Sequence, residues 1–97
     1  PILFLVGDAD AVWPSGRLAD MATTYLGRVH HPFADEVQRY PVAGHWFFEP
    51  FVPVEHRIDW RVGTREVHFG GTDTGNAHAA PAAYEQILGF LHRALAP

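Results

Sequence analysis

Ninety-seven residues suffice for one small domain. An apolar fraction of 47%, with 13% aromatic residues, excludes a disordered tail, which lacks the apolar area to offset its ordering entropy. The net charge of −4, with seven scattered Lys and Arg residues, supplies no basic footprint for phosphate, so no nucleic-acid partner is expected.

In chain order, Ile2–Val6 is apolar at every position, the pattern of a strand covered on both faces in a parallel sheet. It is also the longest apolar run and is far too short to span a bilayer, so no membrane partner is expected. The loop Gly7–Trp13 leaves its carboxyl end and carries two acids, Asp8 and Asp10. Pro14 and Ser15 open a helix, because a proline in the first turn loses no hydrogen bond. Leu18, Met21, Ala22 and Tyr25 fall at i, i+3, i+4 and i+7. They predict an apolar helix face running to about Leu26, with Gly27 as its stop. "RVHHPFAD" is a connector, and a second strand is expected over Asp35–Tyr40. From Pro41 to Gly75 no periodicity holds, and so long a stretch without regular structure is usually functional. Tyr84, Ile87, Leu88, Leu91 and Leu95 mark a terminal helix, with Pro81 in its first turn or at a kink.

The expected order is therefore strand, helix, strand, long loop, helix, an α/β class with a parallel sheet. Two strands are too few for a sheet covered on both faces, and the chain opens on Pro1, already next to a strand. The 97 residues are expected to be the C-terminal portion of a larger α/β domain whose remaining parts lie upstream. No secretory pattern opens the chain. There is no cysteine, so disulfides and thiolate metal sites are excluded. A cytoplasmic setting is expected.

In open α/β sheets, functional groups gather beyond the carboxyl ends of the strands. Asp8 and Asp10 follow the first strand, and His45, in "YPVAGHW", follows the second. An acid followed in the chain by a histidine fits the triad order nucleophile, acid, base. A carboxylate there fixes the imidazole tautomer and stabilises the imidazolium that forms. An aspartate after a strand can equally be a turn residue or a helix cap. The residues alone leave open whether Asp8 or Asp10 does the chemistry.

Three stretches carry a family resemblance: "PILFLVGDADAVWPSGRLADMATTYL", "RYPVAGHWFFEPFVPV" and "FGGTDTGNAHAAPAAYEQILGFLHRAL". Together they resemble the C-terminal part of the acyl-CoA thioester hydrolase and bile acid-CoA:amino acid N-acyltransferase family, whose members are α/β hydrolases. The resemblance implies the C-terminal portion of an α/β-hydrolase fold and a small-molecule acyl-CoA thioester as substrate, with no cofactor. It places the acid on Asp10 and the base on His45, with Asp8 at a neighbouring non-catalytic position. The family's nucleophile, Ser in the hydrolases and Cys in the transferases, and its oxyanion hole are not among these residues. The chain is thus expected to supply Asp10 and His45 only and to be inactive alone. It departs from the family pattern at Glu49-Pro50-Phe51, where two prolines usually follow the glutamate, and at Pro81.

Ser15, the one serine in the chain, has no G-x-S-x-G surroundings and reads as a helix-initiating residue. The six histidines besides His45 show no metal-ligand spacing, so no metal is expected. Trp46, Phe47, Phe48 and Phe51 either anchor the long loop or line an apolar acyl pocket.

Overall fold

The computed structural model describes residues 1–49 and 60–96. Its elements run β1 (Leu3–Gly7), α1 (Ser15–Arg28), β2 (Glu36–Tyr40), β3 (Trp60–Val62), β4 (Arg65–Val67) and α2 (Asp73–Leu95). β1 and β2 pair in parallel, from Leu3 opposite Glu36 to Gly7 opposite Tyr40. The connection between them is α1, the crossover that a parallel pair requires. α1 packs on β1, and α2 packs on both β1 and β2. This is the expected α/β arrangement around a parallel pair.

The core lies between the sheet and the first half of α2. Tyr40, Ala43, Phe47, Ala79 and Ala83 form one buried cluster, with Leu5 packed against it. Alternation along a strand sends Val6, also buried, to the other face. Alanines dominate the buried side of α2, so the helix axis comes close to the sheet. Arg93 near its end holds the carboxylate of Glu36 through both oxygens, at 2.9 and 2.8 Å.

Four features differ from the sequence reading. α1 turns Ala19 inward, while Leu18, Met21 and Tyr25 face outward. Small residues allow close approach to β1, and the half-buried Ser15, Ala22 and Thr23 share that inward face with Ala19. α1 also runs through Gly27 to Arg28. The chain reverses instead at His30, whose φ of 51° is left-handed.

The stretch from Pro41 to Gly75 is not wholly irregular. β3 and β4 form an antiparallel hairpin within it, turning at Gly63, which has a φ of 65°. Three-residue strands are too short to show alternation. α2 begins at Asp73, and Thr72 caps it by accepting the N–H of Gly75 at 2.9 Å. Pro81 therefore lies inside the helix rather than in its first turn. Phe51 and its neighbours lie outside the described residues.

Candidate active site

The acid and the histidine leave the same end of the parallel pair. Gly7 and Tyr40 are the last paired residues, so the loops after them emerge side by side beyond the carboxyl ends of the strands. Asp8 N–H donates to Tyr40 O at 3.1 Å and Ala9 N–H to Ala43 O at 3.0 Å, which zips the two loops together.

A third segment locks them. Residues 69–72 run across both loops as a strut, with bridges from Gly70 to Asp10 and from Gly71 to Ala43. The carbonyl of Phe69 accepts from Ala11 N–H at 3.3 Å and from His45 N–H at 2.7 Å. Gly71 N–H donates to Ala9 O at 3.0 Å and Thr72 N–H to Val42 O at 3.1 Å. Gly70 and Gly71 have φ of 76° and 73°, where an L side chain is strained. A Cβ on Gly70 would also collide with the backbone of Ala9 and Ala11. Asn76, on the first turn of α2 and only 8% exposed, completes the lock. Its Oδ1 accepts the N–H of Gly44 at 2.8 Å, satisfying a buried donor one residue before His45.

Held this way, Nδ1 of His45 lies 2.9 Å from Oδ2 of Asp10. The Asp10 side chain is 3% exposed and that of His45 21%. The two oxygens of Asp10 have separate partners. Oδ1 accepts the backbone N–H of Val12 at 2.8 Å and of Trp13 at 3.2 Å, an aspartate-stabilised turn. Oδ2 accepts from His45 and from the hydroxyl of Ser15. Burial by itself raises the pKa of Asp10. The hydrogen bonds from Ser15, His45, Val12 and Trp13 outweigh it, and the carboxyl ends below its ordinary value of 3.8. Because Asp10 is ionised, Nδ1 of His45 carries the proton and donates it, leaving Nε2 as the free basic nitrogen.

The imidazole contacts two aromatic rings. Trp13 meets it edge-on at 5.0 Å between centroids, and Phe69 lies at 5.6 Å. Trp13 is 54% exposed. Trp46 stacks on Phe48 and on Phe69. Phe47 turns the other way into the core beside Tyr40. The aromatic run after His45 thus divides, with one ring anchoring the loop and two extending the apolar wall beside the site.

Of the two acids left open by the residues alone, Asp10 contacts His45. Asp8 instead accepts from Arg39 Nη1 at 2.7 Å, and Arg39 also reaches Asp20 at 2.5 Å, tying the acid loop to β2 and α1. Sequence reasoning missed Ser15, Arg39 and Asn76 as parts of the site. For Ser15 the available signal was its five-residue spacing from Asp10; for Arg39 and Asn76 no local signal exists. Among the described residues, no group of three or more His, Asp or Glu side chains is placed to hold a metal ion, and no helix is long and apolar enough to cross a membrane.

The chain is similar over nearly its whole length to known proteins. Over 95 residues the chain is 30% identical to acyl-coenzyme A thioesterase 6 of Homo sapiens, covering 98% of the chain and 22% of that protein. It is 33% identical over 94 residues to the mitochondrial acyl-coenzyme A thioesterase 2 of Mus musculus, covering 96% of the chain and 20% of the relative. It is 30% identical over 95 residues to the peroxisomal succinyl-coenzyme A thioesterase of Mus musculus, covering 98% and 22%. The chain therefore spans about a fifth of the length of these relatives. The family described as BAAT / acyl-CoA thioester hydrolase C terminal matches residues 1–97, and the chain belongs to it.

Proposed function

We propose that this chain supplies the acid and the base of an acyl-CoA thioester hydrolase, with the nucleophile and oxyanion hole provided by the upstream part of the same α/β-hydrolase domain. The observation that carries the reading is the 2.9 Å contact between Asp10 Oδ2 and His45 Nδ1 at the rim of the parallel pair. The names of the relatives favour hydrolysis over amide formation.

Nε2 of His45 takes the proton of the nucleophile as it attacks the thioester carbonyl. The C–S bond breaks, and CoA leaves as a thiol with the proton that Nε2 held. Water then attacks the acyl-enzyme and gives a proton to Nε2, which passes it to the nucleophile as the acyl–enzyme bond breaks and the carboxylic acid is released. Asp10 remains ionised throughout and stabilises the imidazolium at each stage. Trp46, Phe48 and Phe69 form an apolar wall suited to an acyl chain.

In the full-length protein, Asp10→Asn is expected to lower kcat by about 10⁴-fold, since an amide in place of the carboxylate favours the wrong imidazole tautomer. His45→Ala removes the base and lowers kcat by a similar order. Both variants should retain the native circular dichroism spectrum. Undiminished acyl-CoA hydrolysis in both would eliminate the assignment. The 97-residue chain alone should turn over neither an acyl-CoA nor a p-nitrophenyl ester.

A further inference from the structure

Ser15 is the first residue of α1, where a hydroxyl commonly serves the helix. Here the cap position belongs to Pro14, and no side chain caps α1. The Ser15 hydroxyl turns back into the acid loop and donates to Oδ2 of Asp10, the oxygen that also receives Nδ1 of His45. The other oxygen is already occupied by two backbone N–H groups. A turn-forming aspartate needs no such additional donor, and α1 draws no capping from it. The arrangement bears instead on the carboxylate–imidazole pair.

We propose that Ser15 is a positioning residue: its hydroxyl fixes Oδ2 of Asp10 against the imidazole of His45 and draws off part of the negative charge that the imidazole meets. The proposal rests on the reading of Asp10 and His45 as acid and base. Oδ2 has two donors to share its charge. Removing one concentrates that charge on the remaining partner, so the imidazolium is held more tightly. A base held in its protonated form becomes active only at higher pH.

The native protein and its Ser15 variants share the other titratable groups on the elements around the pair. Among the described residues they are Asp8 on Arg39 of β2, Asp20 of α1 on the same guanidinium, His68 beside the strut, Asp73 at the start of α2, and Glu49 downstream of His45. A difference between native and variant profiles therefore reports the hydroxyl.

The test is the pH dependence of kcat/KM for acyl-CoA hydrolysis by the full-length protein. It compares the native protein with Ser15→Ala, Ser15→Cys and Ser15→Thr. Ser15→Ala should move the acid limb upward by about half a pH unit and lower kcat roughly tenfold through lost alignment. Ser15→Cys, nearly isosteric and a weaker donor, should move it in the same direction by less. Ser15→Thr keeps a hydroxyl and should restore both limb and rate. If Ser15→Ala does not fold, Ser15→Cys carries the test. An acid limb unmoved in the folded variants, or moved equally in Ser15→Thr, overturns the role of Ser15. Loss of activity in Asp10→Asn alongside that result leaves the acid–base reading standing. Full activity in Asp10→Asn removes the reading itself.

Discussion

Gly44→Ala tests the strut directly. Gly44 precedes His45, and a Cβ there would land on the carbonyl group of Gly70 and the carbonyl oxygen of Phe69. These are backbone atoms and cannot swing aside as a flexible side chain would. Gly44 lies outside the left-handed region, so its own backbone accepts alanine and the cost is one of contact alone. The strut is also anchored by Gly71 N–H to Ala9 O and Thr72 N–H to Val42 O. To make room it must move off the His45 loop. That lengthens His45 N–H to Phe69 O, now 2.7 Å, and Gly44 N–H to Asn76 Oδ1, now 2.8 Å. Overpacking costs about 1–3 kcal/mol and each weakened hydrogen bond about 1 kcal/mol, so a loss of about 3–5 kcal/mol is expected. On the proposed role of His45, a displacement of about 1 Å there should lower kcat by about 10²-fold. The assay is the thermal unfolding midpoint and acyl-CoA turnover of the full-length protein. Gly27→Ala serves as the control, since no atom beyond its chain neighbours and its own helix backbone lies within 4 Å of that added methyl and the helix gains up to about 1 kcal/mol. A Gly44→Ala protein with native midpoint and native turnover would refute the steric argument.

Asp10 is held below its ordinary pKa of 3.8, so its contribution to stability is complete above that value and is lost as pH falls through the lower folded one. The urea midpoints of native protein and Asp10→Asn should therefore keep a constant separation well above pH 3.8 and converge as the pH falls below it. Asp10→Ala removes the turn acceptor as well as the charge, and should unfold at lower urea than Asp10→Asn by about 1–3 kcal/mol. Pro81→Ala restores an N–H that can donate to Ala77 O within α2; thermal denaturation should show a gain of up to about 3 kcal/mol.

The parallel pair and the convergence of its two loops were legible because an apolar run such as Ile2–Val6 has few alternatives, and because strand ends fix where loops emerge. The alanine-lined contacts were not. Ala19, Ala79 and Ala83 contribute little to a hydrophobic pattern, yet their small size is what lets both helices close on the sheet. Leu18, Met21 and Tyr25 dominate the pattern of α1 and face outward. Gly70 and Gly71 were visible as a pair, but their function depends on crossing two loops distant in sequence. Neither that crossing nor the reach of Asn76 to Gly44 leaves a local periodic signal.

Asp10 also shows why its chemistry could not be settled by residue type. A turn-forming aspartate and an acid that orients a histidine are usually weighed as alternatives, but a carboxylate has two oxygens and here each has its own task. Oδ1 holds the turn through Val12 and Trp13, which fixes the plane of the carboxylate. Only with that plane fixed does Oδ2 meet His45 and Ser15 at constant geometry. The same Trp13 whose backbone closes the turn places its indole against the imidazole. Local turn chemistry is therefore the means by which the Asp10 carboxylate is aimed, and the strut supplies the matching constraint on His45. The 35 residues separating Asp10 from His45 matter less than the three short backbone segments that clamp them at one rim.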